Sequence, residues 1–249
     1  MSRFEFTKMQ GLGNDFIVLE GPGKPSADDV VLLCDRRFGV GADGVLVVSP
    51  GSPIVMDYWN ADGSAAEMCG NGLRCVARYA HDKGWVDGPE FEVDTPIGIR
   101  HVRVGADLVE GEIGPTLIEG QETIDGHVYR LVDTGNPHAV RVVDDPDEID
   151  LARLGPRVAR EAGFDTGCNL EVISVKGDRV KMRVWERGVG ETLACGTGMV
   201  AAAAVALDGA DGAITVEVRG GEGQVEITDK NAWLTGPAEY VFTGVFDQG

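Results

Sequence analysis

An α+β fold of two similar halves, each a curled sheet around one central helix, is what this sequence predicts. Three observations carry the prediction. Short Val- and Ile-rich segments bounded by Gly, Pro, Asn or Asp dominate the chain. Helical patterns are few. The sequence also echoes itself: Met68-Cys69-Gly70-Asn71-Gly72 and the helix after it match Ala194-Cys195-Gly196-Thr197-Gly198 and its helix. The two cysteines lie 126 positions apart, about half of the 249 residues.

The strand segments come in order. In the first half they are 4–7, 16–19, 44–48, 54–58, 91–94 and 99–104; in the second, 127–132, 170–175, 179–185 and 214–218. One helix is expected from Asn71 to Lys83, with Leu73, Val76, Ala77 and Ala80 at helical spacing and Gly84 as a stop. A second runs from Thr197 to Leu207 and stops near Gly209; it is apolar all round, which calls for burial on every side. A more polar helix is expected over 149–162 and a short one over 28–35. Strands flank each Cys-Gly helix, so two halves are the economical reading. The change-over falls near Gly114-Pro115. It divides the chain into 1–114, which carries Cys69 and is completed by a terminal strand over 238–249, and 115–237, which carries Cys195.

Composition narrows the class. Apolar residues make up 43% and charged residues 25%, as in ordinary globular proteins. No run approaches the roughly 18 apolar residues of a membrane span, and the start lacks a signal-peptide pattern, so a soluble cytoplasmic protein is expected. Forty-one acidic residues oppose 22 basic ones, of which only six are Lys, for a net charge of −19. Such a charge repels nucleic acid. It is also the surface expected of a protein adapted to high salt, where self-repulsion is screened.

Five cysteines, at 34, 69, 75, 168 and 195, form no CxxC pair, which argues against a disulfide framework or a structural zinc site. Gly39-Val40-Gly41-Ala42-Asp43-Gly44 fits GxGxxG, but a strand-like run follows where a dinucleotide site needs a helix, so it reads as a glycine-rich turn. The chemistry is therefore left to side chains. A cysteine just before a helix sits among unpaired N–H groups at the positive dipole end, which favours thiolate. The glycines after it leave amides bare for a carboxylate. Two such turns suit inversion of a stereocentre, one thiolate taking a proton and one thiol giving a proton to the opposite face. Cys34, Cys75 and Cys168 lack this context and are expected to be packing thiols.

At these residues the chain resembles the diaminopimelate epimerases. The resemblance runs through Gly11-Leu12-Gly13-Asn14-Asp15-Phe16, Asn60-Ala61-Asp62-Gly63-Ser64, Met68 to Cys75, Gly135-Asn136-Pro137-His138, Asn169, Trp185-Glu186-Arg187-Gly188 and Glu191 to Gly198. It implies an α+β fold of two pseudo-symmetric domains, each a curled, mostly antiparallel sheet around a central helix, with the site in the cleft between them. It implies a homodimer with no cofactor and no metal, interconverting L,L- and meso-diaminopimelate for lysine or cell-wall precursor synthesis. The catalytic pair falls on Cys69 and Cys195. His138 and Glu186 fall on the supporting acid–base positions, which the family pattern pairs with Cys69 and Cys195 respectively. Asn14, Asn60, Asn136, Asn169, Glu186 and Arg187 fall on substrate-binding positions, and the amides of Gly70, Asn71, Gly196 and Thr197 on the α-carboxylate site. The chain is short for the family, and Met199-Val200 makes a bulky helix start.

Two rivals remain open from the residues. A proline or hydroxyproline racemase shares the two-cysteine logic, although the asparagines and the Trp-Glu-Arg-Gly stretch favour a substrate with a second polar head. A thiol redox or metal-binding protein would show stoichiometric zinc binding, or a reversible disulfide without turnover.

Overall fold

A computed structural model of the chain describes residues 3–66, 69–229 and 231–247. Met1 and Ser2, Met68 of the first cysteine motif, and residues 248 and 249 of the expected terminal strand lie outside the described residues. The chain divides into two units, one of residues 1–111 and 236–249, the other of residues 112–235.

The first unit begins with β1 (Arg3–Gly11), β2 (Asn14–Glu20), α1 (Ala27–Cys34), β3 (Gly44–Ser49) and β4 (Ile54–Asn60). It continues with α2 (Gly70–Asp82), β5 (Glu90–Thr95) and β6 (Gly98–Val104), and leaves through β7 (Leu108–Pro115). Neighbouring strands pair in sequence order: β1 with β2 antiparallel, β2 with β3 parallel, β3 with β4 antiparallel, β4 with β5 parallel, and β5, β6 and β7 antiparallel. Each parallel step needs a crossover, and α1 and α2 supply the two.

Packing explains why β2 and β3 read as unbroken apolar runs. Side chains alternate between faces. Ile17, Leu19, Val45 and Val47 pack with Val30 and Leu33 of α1. Phe16, Val18, Leu46 and Val48 pack on the other face with Leu73, Val76 and Ala77 of α2. The strands are therefore buried between two helices, and α2 is buried over most of its circumference.

The second unit repeats the plan. It holds β8 (Leu117–Ile124), β9 (His127–Asp133), β10 (Pro137–Val142), a 3₁₀ turn at 146–148, α3 (Leu151–Glu161), β11 (Asn169–Lys176) and β12 (Arg179–Glu186). Then come β13 (Gly190–Thr192), α4 (Gly196–Ala206), β14 (Gly212–Val218), β15 (Gly221–Thr228) and β16 (Asn231–Pro237). Again an antiparallel pair, β9–β10, leads through a helical crossover to a parallel step, β10–β11. After the antiparallel β11–β12, the second parallel step is β12–β14, with α4 in the crossover, and β14, β15 and β16 close antiparallel. The chain then returns to the first unit, where β17 (Glu239–Asp247) pairs antiparallel with β1. Antiparallel pairs outnumber parallel ones in each unit, and each carries two helices. This is the expected α+β architecture.

On β10 and β11, Ala139, Leu170 and Val172 face the core shared with α3. The alternate residues His138, Val140, Glu171 and Ile173 therefore point to the opposite face, where α4 packs on both strands. The apolar α4 is buried from Met199 to Val205.

The helices fall within two residues of the sequence expectations. Six strands, β7, β8, β10, β13, β15 and β16, were not anticipated. β8 is almost wholly exposed and carries Glu, Gly and Gln, so it has no apolar alternation to betray it. The glycine-rich turn at 39–44 runs straight into β3, and its amides at Val40 and Gly41 close the end of α1 by donating to the Leu33 carbonyl.

Candidate active site

Each unit offers one half-site, and the two are built alike. Cys69 is the N-cap of α2, with extended backbone (φ −146°, ψ 107°), and its sulfur accepts the Gly72 amide at 3.4 Å. Cys195 is the N-cap of α4 (φ −125°, ψ 117°), and its sulfur accepts the Gly198 amide at 3.4 Å. Ser, Thr, Asp or Asn would cap a helix better.

In the first half-site, Asn14 at the start of β2 accepts from the Cys69 thiol at 3.5 Å and from the Asn71 amide group at 3.3 Å, both through Oδ1. Its own amide donates to Asp43 Oδ2 at 2.7 Å, which fixes its orientation. Asp43 belongs to a charged group with Arg36, Asp15 and the buried Lys8. Burial pushes the Asp15 carboxyl up, but hydrogen bonds from Arg36 and Lys8 outweigh it and hold it below the usual range. Asn60 ends β4 and donates to Ser64 Oγ at 3.0 Å. It is joined to the Asp43 region by its neighbour Ala61, whose amide donates to the Asp43 carbonyl. Gly70 and Asn71 form the first turn of α2 and are buried.

In the second half-site, His138 on β10 lies beside Asn169 on β11. His138 and Glu171 are both fully buried, with Nδ1 and Oε1 2.7 Å apart. The other ring nitrogen, Nε2, donates to Asn136 Oδ1 at 3.0 Å, an oxygen that also accepts from the Thr134 hydroxyl. Asn169 accepts the Arg187 backbone amide at 2.8 Å. The Glu186 carboxylate accepts from the Thr192 hydroxyl at 2.5 Å. Thr197 places its hydroxyl 3.4 Å from the Cys195 sulfur. The Arg187 guanidinium is exposed and donates to the carbonyls of Thr166 and Gly167. It borders a groove of about 520 Å³ lined also by Arg160, Phe164 and Trp185; neither cysteine lines that groove.

Electrostatics depart from expectation at Cys195. The helix end was expected to favour thiolate there. Instead burial pushes the thiol well above its ordinary value, and the carboxylates of Glu186 and Glu171 add to the rise. The Thr197 hydroxyl and the Gly198 amide pull the other way without overcoming them. Cys34, Cys75 and Cys168 are buried and pushed up to about 12, so none of them supplies a thiolate near neutral pH.

Glu171 and Asp43 escaped the sequence reading. Asp43 sits in a glycine-rich turn where an acid is unremarkable. Glu171 did leave a signal, since a carboxylate at an inward position of Asn169-Leu170-Glu171-Val172-Ile173 requires a buried partner. Among the described residues, no cluster of His, Cys, Asp and Glu could hold a metal ion, and no helix is long and apolar enough to cross a membrane.

Comparison with known proteins identifies the family and the fold. A family model described as diaminopimelate epimerase matches residues 6–116 and 130–241. A diaminopimelate epimerase of Rippkaea orientalis is 40% identical, with 98% of this chain and 99% of the relative covered. Among solved structures, a phenazine biosynthesis protein of the PhzF family from Bacillus anthracis superposes with a TM-score of 0.79 over all of both chains at 15% identity. A probable proline racemase from Agrobacterium radiobacter does so with 0.71 over 99% of this chain and 93% of that one, also at 15% identity. These two likenesses establish a shared fold alone. The family match and the full-length 40% relative go further: the chain belongs to the diaminopimelate epimerase family.

Proposed function

We propose that the chain epimerises diaminopimelate at one α-carbon, with Cys69 and Cys195 as a thiolate–thiol pair. One sulfur takes the α-proton and the other returns a proton to the opposite face; the reverse reaction exchanges their roles. The observation that carries this reading is the matched pair of cysteine N-caps, each with its sulfur on an amide of the first helical turn.

The α-carboxylate is received by the amides of Gly70 and Asn71 at one helix end and of Gly196 and Thr197 at the other. Four fixed donors and two dipole ends stabilise the charge that spreads into the carboxylate as the α-proton leaves. Loss of one such donor costs roughly 3 kcal/mol in comparable sites. His138 and Glu186 are acid–base groups that adjust thiol protonation. Asn14, Asn60, Asn136 and Asn169 read ammonium and carboxylate groups through paired donors and acceptors. Arg187 takes the distal carboxylate bidentately and Glu186 borders the substrate. The exposed Tyr240, Val241, Phe242 and Val245 on β17 support a homodimer joined along this strand, which light scattering would detect.

The test is α-proton exchange. Reduced protein with L,L-diaminopimelate in D₂O should lose the α-proton signal and form the deuterated meso isomer. Cys69→Ser and Cys195→Ser should each abolish this, because a hydroxyl is a far weaker acid than a thiol. Substantial turnover in either variant would rule out the two-base scheme. Folded, reduced protein that exchanges proline instead would favour the racemase reading.

A further inference from the structure

Helix α2 holds an arginine that packing alone does not call for. Arg74 is fully buried, and at the matching position of α4 the fully buried residue is Val200. Desolvating a guanidinium is costly, whereas an apolar side chain of similar volume fills a buried slot without that cost. Burial lowers Arg74 only to about 10, so it stays protonated near neutral pH.

The slot is made by backbone. A Cβ on Gly11 would come 3.4 Å from Nη2, and one on Gly236 3.3 Å from both Nε and Nη2. Held there, the guanidinium donates to Gly70 O at 3.2 Å, to Pro237 O at 3.5 Å and, at the shortest distance, to Asn71 Oδ1 at 2.6 Å. A guanidinium carries donors and no acceptor, so Asn71 must turn its oxygen to Arg74 and its amide nitrogen away. That nitrogen donates to Asn14 Oδ1 at 3.3 Å.

Asn14 is fixed in the same sense from its other end. Its own amide nitrogen donates to Asp43 Oδ2 at 2.7 Å, and Asp43 is paired through Oδ1 with Arg36. The two side-chain amides therefore stand head to tail between a guanidinium that donates and a carboxylate that accepts. What the half-site receives from Asn14 is its oxygen, which lies 3.5 Å from Cys69 Sγ and accepts from that thiol. Such an oxygen suits an N–H of an ammonium group and not a carboxylate. All of these groups belong to the first unit.

We propose that Arg74 is a positioning residue: acting through Asn71, it locks the Asn14 amide with its oxygen toward the Cys69 half-site, so that Asn14 reads an ammonium group of the substrate. The assignment to substrate rests on the epimerase reading above; the lock itself rests on the hydrogen bonds alone.

Three variants of the full chain separate this role from packing. Arg74→Met fills the slot without donors, and Arg74→Lys keeps a cation that only donates. Asn71→Asp keeps an oxygen for Arg74 but loses the nitrogen that reaches Asn14. KM for L,L-diaminopimelate should rise about tenfold in Arg74→Met and Asn71→Asp, as loss of one hydrogen bond to a charged group would make it, with a smaller change in kcat. Arg74→Lys should recover most of that rise. An unmoved KM in folded Asn71→Asp, where Arg74 still has its partners, would overturn the proposal even if Arg74→Met fails to fold. The second measurement is a double-mutant cycle between Arg74→Met and Asn14→Ala, read both in KM and in urea unfolding. Once Asn14 is alanine, Arg74→Met should raise KM no further. A wild-type protein without activity on diaminopimelate would sink the epimerase reading and leave the unfolding cycle to judge the lock: coupling between the two sites supports it, and additive losses overturn it.

Discussion

Replacing Gly198 by alanine sets two effects of opposite sign against each other. In a helix interior, alanine is favoured over glycine by about 1 kcal/mol. At Gly198 the added Cβ would lie 2.6 Å from Glu171 Oε1, roughly 0.8 Å short of ordinary contact. That oxygen cannot retreat freely, because it is held 2.7 Å from His138 Nδ1 in a fully buried pair. A shift of that size lengthens the contact to about 3.5 Å, the limit of a hydrogen bond. Loss of a charged hydrogen bond costs about 1.5–3 kcal/mol and overpacking about 1–3 kcal/mol. The net expectation is a loss of about 2–4 kcal/mol in urea unfolding, with a fall in epimerisation as His138 and Cys195 lose their setting. The first unit supplies a control. A Cβ on Gly72, at the matching position of α2, would meet Leu46 Cδ2 at 3.2 Å and Met56 Cε at 3.4 Å, the ends of side chains that can turn. Gly72→Ala should therefore change stability by no more than about 1 kcal/mol. A Gly198→Ala protein as stable and active as the wild type would refute the claim that Glu171 is locked under α4.

Cys75→Ala should keep most epimerase activity, because Cys75 is fully buried within α2 and pushed up to about 12; a folded but inactive variant would mean the cysteines are wrongly sorted. Asp15 is held below its ordinary range in the fold, so the stability it contributes is present above its unfolded value of about 3.9 and is lost as pH falls through and below it. Melting temperature should accordingly drop below about pH 4, and Asp15→Asn should flatten part of that drop. With a net charge of −19, the melting temperature should rise between dilute and molar KCl; an unchanged value would remove the high-salt reading.

The sequence disclosed most where a local rule had a single outcome. The echo of Cys69 and Cys195 located both helix caps, and the all-apolar run after Thr197 required the burial that α4 has. It disclosed least where meaning depends on the neighbour. Strands β15 and β16 do alternate between buried and less buried positions, but Gly221, Gly223 and Gly236 thin the apolar signal. The site divides the same way. Asn14, Asn136, Asn169, His138 and Glu186 were recognisable by resemblance, whereas Arg74 was hidden inside a quoted motif as an ordinary helical arginine. Its burial shows only when Gly11 and Gly236, distant in sequence, are brought to its two sides. The expectation of a lowered thiol at both caps failed at Cys195, because dipole reasoning saw the helix end and neither the burial of the sulfur nor, second to it, the carboxylates nearby.

The pairing of β1 with β17, which sets Arg3 opposite Asp247, has a consequence for how the molecule is made. The second unit is one continuous stretch, while the first waits for a strand beyond it. On a ribosome, residues 112–235 can complete their sheet while β1 still lacks its neighbour. The half that carries Cys195 is thus free to fold first. A permuted chain that joins the paired ends and opens elsewhere would reverse that order without altering either half-site.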